Sequence, residues 1–421
     1  MTPLADALAT PMTAPDPAVQ QAIALAFLDT FACIRAGWAE PAVTRLAQSQ
    51  EAQTTATQAA LWATAAHALD WDDYEAFGST HPSAVLVPVI LSLGAEATQA
   101  RAVAAYAAGY RTISTLGHLI GYGHYRAGWH ATSTLGTLGA TSAAATLLNA
   151  SPAQHAAALR IGTSRAGGLK GQFGGLVKPL HAGFAAQNGI EAARLAMAGI
   201  APPPGVLTGT DGFLDVFGPP ENRWAQSRSV QTFADNPVFA KPWPSCAYSH
   251  RAVEAALRLG PIPADKIDAL ALKIPAPYAK VAGYRAPQNP DEARFSVTYC
   301  MAAALINGEF SPTSVADEAR NRPDLVKAEA MVQLDTYDLP KGVGDMAAAA
   351  PDTLTVTLTS GKVLQETVAN AKGGPAKPLL ATDIIQKFAQ TGGDAHAAQA
   401  FLNAHPDAPF DTTLVPKPSL P

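Results

Sequence analysis

The feature that most constrains the fold is a series of alanine-rich segments that are apolar on almost every face. They cover residues 58–69, 84–93, 99–112 and 138–148. Helices that are apolar all round are typical of the buried centre of a large helical domain. With 48% hydrophobic residues in 421, the chain has enough apolar surface for such a core. The sequence therefore predicts a mainly α protein with a large all-helical domain.

Helix start signals support this prediction at two places. Asp16 followed by Pro17 combines a capping carboxylate with a proline in the first turn. Apolar residues then recur every three or four positions up to Gly37, as one helix face requires; they are Ile23, Phe27, Phe31 and Ile34. The pair Ser151 and Pro152 repeats the signal for a later helix.

The pattern changes in the second half of the chain. Residues 201–245 are rich in proline, which indicates an irregular connection. Residues 267–274 alternate as a strand does, and 352–368 form two β-branched runs around a Ser-Gly turn, which is typical of a hairpin. A helix is predicted between them, at 295–306. We expect a small α+β domain here, with a further helix at 381–390.

Charge, cysteines and apolar runs exclude several classes of protein. The net charge of -5 gives no basic footprint for nucleic acid. Three widely spaced cysteines argue against a disulfide framework or a CxxC metal site. The N-terminus lacks a basic stretch before an apolar one, and the apolar runs are shorter than the roughly 20 residues that span a bilayer. We expect a soluble cytoplasmic protein that binds neither nucleic acid nor membrane.

The first polar cluster follows an alanine-rich helix and contains Asp70, Asp72, Asp73, Tyr74 and His81. Three carboxylates and an imidazole this close allow a metal site with oxygen ligands, or a loop that performs acid–base chemistry and orients a substrate. They also allow the plainer interpretation that the aspartates cap and solvate a helix end.

The second cluster is the stretch from Gly128 to Gly136, in which His130 stands just ahead of a helix, followed by Thr and Ser residues that can cap it. Free N–H groups and the dipole at a helix N-terminus favour anions, so this position suits a carboxylate. The histidines at 118, 124 and 130 lack the i, i+4 spacing of a helical zinc pair. A histidine satisfied by hydrogen bonds in the core is the alternative.

The third cluster follows a glycine-dense loop at 167–175 that matches no phosphate-binding motif. Lys178 and His181 come next, and we expect them just before an alanine-rich helix at 185–198. This arrangement again places cationic or neutral donors at a helix N-terminus.

Six stretches together resemble the MmgE/PrpD family, which includes 2-methylcitrate dehydratases, cis-aconitate decarboxylases and an iminodisuccinate epimerase. The resemblance covers nearly the whole chain, and its six motifs occur in the family's order. They are LDWDDYEAFGSTHPSAVLVPVI, GWHATSTLGTLGATSAAATLL, LVKPLHAGFAAQNGIEAARLA, KPWPSCAYSHRAVEAAL, ARFSVTYCMAAAL and TLTSGKVLQETVANAKGGP.

The resemblance implies a helical domain over residues 1–243, an α+β lid domain over 244–379, and a C-terminal segment, 380–421, that returns to the helical domain. It implies a site in the cleft between the domains, a homodimer, and no organic cofactor or metal. The matching pocket positions are Asp70, His81, His130, Lys178, Lys241 and Tyr299, with His250 as a neighbour in the lid motif.

Roles follow from the chemistry that the family shares, removal of a proton next to a carboxylate. His130 is expected to act as general base or acid, and His81, oriented by Asp70 or Asp72, as the second proton-transfer group. Tyr299 would donate a proton or hydrogen bond. Lysines would bind substrate carboxylates as point charges. The predicted catalytic residues are His130, His81, Asp70 and Tyr299; the predicted substrate-binding residues are Lys178, Lys241, His250, Asp72, Tyr74 and Cys246.

Four departures from the family's pattern count against the decarboxylase activity. Tyr74 replaces the Thr or Ser of many relatives, and the chain is shorter than most of them. The distance from Tyr74 to His81 is one residue longer than in the decarboxylase-like pattern, and Cys246 occupies the position of a histidine in decarboxylase-like members. We therefore expect a hydro-lyase that acts on a small di- or tricarboxylate. The alternatives are an epimerase of an imino- or amino-dicarboxylate, a decarboxylase of a cis-aconitate-like acid, a metal enzyme, and a ligand-binding relative without turnover.

Overall fold

A computed structural model describes residues 3–218, 230–339 and 350–417. Its first part is helical, and one connection within it, residues 219–229 of the predicted irregular stretch, lies outside the described residues. The helices of this part are α1 (Leu4–Ala9), α2 (Pro17–Gly37), α3 (Pro41–Ser49), α4 (Thr55–Ala68), α5 (Ser83–Leu93), α6 (Gln99–Ile120), α7 (Tyr122–Arg126), α8 (Ala131–Leu147), α9 (Pro152–Thr163), α10 (Val177–Met197) and α11 (Phe213–Phe217).

Helix α8 lies at the centre of this helical part. Nearly all its residues are buried, and it packs against α5, α6, α9 and α10. The approach of α10 is close enough to require glycine, because a Cβ at Gly189 would lie 2.3 Å from the Ala140 Cβ. The alanine-rich segments are therefore the interior helices that the sequence predicts.

The predicted helix starts are confirmed. The Asp16 carboxylate accepts from the Val19 N–H at 2.9 Å, and Ser151 forms a capping box with Gln154. Helix α2 is also long and apolar enough to cross a membrane, but 61% of its most apolar window is buried inside the fold, as in a core helix.

Two predicted helix boundaries are wrong at the site. Helix α10 starts at Val177, so Lys178 and His181 lie in its first turns and not ahead of it. A proline is tolerated there because the first N–H groups of a helix have no intrahelical acceptor, which lets Pro179 stand inside the helix. Helix α8 begins at Ala131, so the Thr and Ser residues after His130 are helical.

The second part combines helices with one mixed sheet. Its elements are α12 (His250–Leu259), β1 (Ile267–Pro275), α13 (Ala276–Val281), α14 (Pro290–Arg294), α15 (Val297–Asn307), α16 (Asp317–Arg320), α17 (Pro323–Ala330), β2 (Val332–Tyr337), β3 (Asp352–Leu358) and β4 (Val363–Val368). The strand order is β2-β1-β3-β4, with β1 parallel to β2 and antiparallel to β3, and β3 antiparallel to β4.

The strand β1 and the β3–β4 hairpin match the prediction from sequence, whereas β2 was not predicted. The side chains of Leu270, Leu272 and Ile274 are buried in one phase of β1, and together with α12 and α15 they form a second hydrophobic cluster. The chain is thus mainly α with a small mixed sheet.

The last two helices, α18 (Ala381–Gln390) and α19 (Ala395–Leu402), pack against α2. Lys387 of α18 is buried and forms an ion pair with Asp29 of α2 at 2.8 Å. Its ammonium also donates to the Trp71 carbonyl at 2.7 Å and the Lys241 carbonyl at 3.2 Å. One buried cation therefore joins α18 to the two loops that carry Asp70 and Lys241.

Candidate active site

A cavity of about 220 Å³ is lined by residues of both the helical and the mixed part. This volume is below the roughly 300–1,000 Å³ of pockets for drug-sized ligands and suits a small metabolite. The predicted site residues that line it are Asp70, Tyr74, His81, His130, Lys178, Lys241 and Cys246. The structure therefore brings together most of the side chains that the sequence singled out.

The loop after α4 is held in shape by a buried carboxylate. Glu75 accepts hydrogen bonds from the backbone N–H groups of Phe77, Gly78 and Thr80, at 2.7 to 3.0 Å. Asp70 has a φ of 52°, in the left-handed region that Asp adopts more readily than most residues. These constraints fix the loop so that Asp70 and His81 face the same cavity.

Asp70 is paired with two buried lysines. Lys178 Nζ donates to Asp70 Oδ1 at 2.7 Å, and Lys241 Nζ lies 3.2 Å from the same oxygen and donates to the Asp70 carbonyl at 2.8 Å. Burial alone would raise the pKa of Asp70, but Lys178 and Lys241 hold it well below its usual range. Two ammonium groups thus meet one carboxylate oxygen at the cavity, and the second carboxylate, Asp72, is hydrogen-bonded to His67.

The tautomer of His81 is set by its surroundings. Its Nδ1 lies 2.8 Å from the Asp73 carbonyl oxygen and 3.4 Å from Asp72 Oδ2, and both are acceptors, so Nδ1 carries the proton. Burial lowers the pKa of His81 to about 3, which keeps the ring neutral at neutral pH. Its Nε2, 3.9 Å from Asp70 Oδ1, is then free to accept a proton.

His67 was missed by the sequence analysis and belongs to the same cluster. Its Nδ1 donates to Asp72 Oδ2 at 2.7 Å, and its ring stacks on His130 with centroids 5.6 Å apart. Asp72 therefore lies behind the cavity, between His67 and His81. The available signal was the position of His67, in the last turn of an alanine-rich helix and three residues before Asp70.

His130 stands immediately before α8 and is 1% exposed. Burial, reinforced by the neighbouring His67 and Lys178, holds its pKa well below the usual value. Its Nδ1 is 2.8 Å from the Nδ1 of His181, and Phe173 packs edge-on against its ring. His130 is therefore a neutral imidazole with one nitrogen already engaged.

The expected capping of α8 by Thr and Ser side chains is wrong. The Thr132 hydroxyl accepts from the His81 N–H at 3.1 Å, and the Ser133 hydroxyl donates to the His181 carbonyl at 3.4 Å. Both hydroxyls therefore tie α8 to the other two histidine-bearing segments and do not cap its own first turn.

The mixed part contributes a weakly polar wall, formed by Cys246, Ala247, Tyr248 and Phe295. The Lys178 ammonium lies 5.2 Å from the centroid of the Phe295 ring, a cation–π contact. Burial raises the pKa of the Cys246 thiol to about 12, so it stays protonated at neutral pH. This wall shapes the cavity but offers no ionised group.

Three predicted site residues do not line the cavity: Asp72, which lies behind it, and Tyr299 and His250. The Tyr299 hydroxyl donates to the Ser314 carbonyl at 2.7 Å, within the second hydrophobic cluster. His250 Nε2 is 3.2 Å from the Ser245 carbonyl, and its ring packs edge-on against Trp243. The structure does not place Tyr299 as a donor to a ligand in the cavity, or His250 as a residue that binds one, because both side chains bond to neighbouring carbonyl groups.

The metal interpretation meets an electrostatic obstacle. Ligand atoms of His67, Asp70, Asp72 and His81 lie within 4.8 Å of one another, as a metal site would require. However, two ammonium groups already contact Asp70 at 2.7 and 3.2 Å, and a cation bound to the same oxygen would be repelled by both. This arrangement disfavours a metal cation on the Asp70 carboxylate.

Comparison with known proteins identifies the family. The MmgE/PrpD N-terminal domain profile matches residues 4–225 and the MmgE/PrpD C-terminal domain profile matches residues 243–403. The chain belongs to the MmgE/PrpD family. It is 27% identical over 346 residues to a mouse cis-aconitate decarboxylase, covering 77% of this chain and 69% of that protein.

Two further MmgE/PrpD relatives are comparably similar. A human cis-aconitate decarboxylase is 27% identical over 341 residues, covering 77% of this chain and 70% of its own length. A cis-aconitate decarboxylase-like protein of Aspergillus oryzae is 24% identical over 362 residues, with 76% and 72% coverage. Membership of this family supports a lyase-class enzyme but does not specify the reaction.

Proposed function

We propose that the protein is a cofactor-independent lyase that acts on a small di- or tricarboxylate, and that it is a hydro-lyase. The observation that carries this proposal is the juxtaposition, in one small cavity, of two buried lysines that share a single carboxylate and two neutral imidazoles. This combination supplies positive charge for the substrate and proton-transfer groups for the reaction.

Lys178 and Lys241 account for the choice of a carboxylate substrate. Removal of a proton next to a carboxylate places further negative charge on that group, so the transition state is more anionic than the substrate. Preorganised cations in a site that excludes water stabilise the developing charge more than the ground state. Asp70 holds both ammonium groups in place, and its negative charge offsets the repulsion between them.

The imidazoles account for the proton transfers. His81 Nε2 removes the proton from the carbon next to the carboxylate, because its Nδ1 already donates to the Asp73 carbonyl. The C–O bond then breaks, and His130 gives a proton to the leaving hydroxyl, which departs as water. The mixed part, with Cys246 and Phe295 at the cavity wall, serves as the lid.

Decarboxylation of a cis-aconitate-like acid is the second candidate. It is favoured by the names of the curated relatives, which are cis-aconitate decarboxylases. The same lysines and histidines would stabilise the carbanion left by loss of carbon dioxide and protonate it. The protonated thiol of Cys246, where decarboxylase-like members carry a histidine, favours the hydro-lyase.

The test is an NMR screen of citrate-like and aspartate-like acids incubated with the enzyme in heavy water. Formation of an unsaturated acid with loss of water supports the hydro-lyase. Release of carbon dioxide from carbon-13-labelled acid supports the decarboxylase, and exchange of the carbon-bound proton without net product supports the epimerase. Binding of an acid with no exchange and no product would overturn the lyase and leave a ligand-binding relative.

A further inference from the structure

His130 and His181 form a pair that nothing in the assigned chemistry explains. Their Nδ1 atoms are 2.8 Å apart, a hydrogen-bond distance, so one ring must donate and the other accept. Burial lowers the pKa of His181 to about 4 and that of His130 well below its usual value, so both rings are neutral near pH 7. The pair therefore holds a single proton between its two Nδ1 atoms.

This sharing couples the outer nitrogens of the two rings. A neutral imidazole carries one proton, so the ring that donates through Nδ1 has a bare Nε2, and the ring that accepts has a protonated Nε2. Moving the shared proton inverts both tautomers together. His130 is thus an acid in one arrangement and a base in the other.

The fold holds the pair firmly. The His130 N–H donates to the Gly168 carbonyl at 3.0 Å, and the Ser133 hydroxyl donates to the His181 carbonyl. Gly168 has a φ of 118°, and a Cβ there would lie 2.8 Å from the Ser133 Cβ, so only glycine lets the loop pass this close. The two rings are therefore fixed by a loop and by the helices α8 and α10.

His181 is placed differently from His130. His130 lines the cavity, whereas His181 does not, and 4% of His181 is exposed. Among the described residues, no group forms a hydrogen bond with His181 Nε2. The His130 ring thus faces the cavity, and the second nitrogen of the buried His181 is not engaged by any described residue.

We propose that His181 is a proton-relay residue that reloads His130 between its acid and base forms. The inference rests on the proposed function. In the acid form, His130 Nε2 gives its proton to the leaving hydroxyl, His181 Nδ1 passes its proton to His130 Nδ1, and a solvent proton binds His181 Nε2. Both rings remain neutral and both tautomers are inverted.

The reverse transfer completes the cycle. The proton taken from the substrate passes from His81 to the bare Nε2 of His130, the shared proton returns to His181 Nδ1, and His181 Nε2 releases its proton to solvent. One proton enters and one leaves through His181 in each turnover. The substrate-derived proton stays on His130 Nε2 for the next leaving hydroxyl, and the proton that His181 exchanges with solvent keeps both rings neutral during the transfer.

His181→Asn is the test variant, because its amide offers a hydrogen bond at about the position of Nδ1 but cannot relay a proton. With the acid that the enzyme converts, we expect an unchanged KM and a kcat that falls at least about tenfold, because His130 can no longer regain a proton at Nδ1 while it gives one up at Nε2. His155→Asn is the matched control, since His155 is a buried histidine bonded to Ser142 outside the cavity, and its kcat should equal the wild-type value.

Nitrogen-15 NMR of protein with labelled histidines measures the protonation of both Nδ1 atoms without turnover. We expect one protonated and one unprotonated Nδ1 that couple across a hydrogen bond, with the coupling lost in His181→Asn and kept in His155→Asn. Two unprotonated Nδ1 atoms would overturn the relay. So would an active enzyme whose kcat is unchanged in His181→Asn. A wild-type protein that neither exchanges nor converts any acid contradicts the proposed function, and the relay with it. The NMR measurement would still show whether His130 and His181 share a proton.

Discussion

On the helical side of the cavity, the chain presents Asp70, His81, His130 and Lys178, whereas the mixed part presents Cys246, Tyr248 and Phe295. The first set consists of buried charges and imidazoles held by hydrogen bonds, and the second consists of a protonated thiol and aromatic rings. Lys241 lies in the connection between the parts but pairs with Asp70 of the helical side. Under the proposed function, the helical wall carries out the chemistry and the wall of the mixed part sets the shape of the substrate.

The largest expected effect is the loss of the proposed base. His81→Gln should reduce kcat by about 10²- to 10⁴-fold, the usual contribution of general acid–base catalysis. Steady-state kinetics with the acid identified in the heavy-water screen would measure it. His118→Gln is the control, since His118 is an exposed histidine of α6, and it should leave kcat unchanged. A fall of less than about tenfold in His81→Gln would remove His81 from the proton transfers.

The second effect concerns the buried cation that anchors the helical wall. Lys387→Met leaves Asp29 buried without its partner and should lower the free energy of unfolding by about 3–5 kcal/mol. Urea denaturation would measure the loss. Lys372→Met, on an exposed ion pair of 2.8 Å with Asp383 of α18, should cost less than about 1 kcal/mol. Equal losses of unfolding free energy in the two variants would show that the buried Lys387 pair stabilises the fold no more than the exposed Lys372 pair.

The helical wall was partly predictable because its residues stand in short contiguous motifs. The stretch Asp70 to His81 and the residues His130 and Lys178 each adjoin a recognisable alanine-rich helix. His67 and His181 were harder to assign, because their roles depend on which ring meets which across different helices. No local pattern reports a contact between residues 51 positions apart, such as His130 and His181.

In the mixed part, the strands with local patterns were predictable, and the contacts between distant segments were not. The strand β1 and the β3–β4 hairpin follow directly from alternation and turn residues, but β2 pairs in parallel with β1 after intervening helices, and such pairing leaves no local signal. The motif around Tyr299 is a helix, as predicted, but the Tyr299 side chain does not point into the cavity. Helical periodicity alone does not reveal that the Tyr299 hydroxyl meets the Ser314 carbonyl and not the cavity.

A third prediction separates substrate binding from proton transfer on the same wall. Lys178→Gln removes one charge while Lys241 still pairs with Asp70, so the site should remain folded. A hydrogen bond to a charged group contributes about 1.5–3 kcal/mol, so kcat/KM should fall roughly 10- to 100-fold. Steady-state kinetics against Lys266→Gln, at an exposed lysine of the mixed part, would measure it. An unchanged kcat/KM would contradict carboxylate binding by Lys178.

A fourth prediction contrasts the pH dependence of the two parts. Burial lowers the pKa of His155 in the helical part to about 4, so the unfolded chain binds more protons below pH 6.5 and stability falls as the pH drops. Burial raises the pKa of Asp352 in the mixed part to about 8, so its contribution is present below pH 3.8 and is lost as the pH rises towards 8.

Urea denaturation at pH 5, 7 and 8 would test these signs. Each group contributes at most about 1.4 kcal/mol per pH unit within its range. His155→Gln should weaken the loss of stability between pH 7 and 5, and Asp352→Asn should weaken the loss between pH 5 and 8. Slopes that match the wild type in both variants would contradict a neutral His155 and a protonated Asp352 in the folded protein.

The smallest expected effect is on the opposite wall. Cys246→Ala removes a protonated thiol from the cavity surface, and kcat should change by no more than about threefold, equivalent to roughly 0.6 kcal/mol. Two acids of different length competing in one reaction would show that the variant converts them in a different ratio from the wild type. A fall in kcat comparable to that of His81→Gln would place chemistry on both walls of the cavity.

The most direct test of the central claim is the rate at which solvent deuterium enters recovered substrate in heavy water, measured by NMR for the wild type, His81→Gln and Cys246→Ala. If the helical wall alone removes the proton, exchange persists in Cys246→Ala and falls at least about a hundredfold in His81→Gln. Exchange that survives in His81→Gln, or disappears in Cys246→Ala, would contradict the assignment of proton transfer to the helical wall.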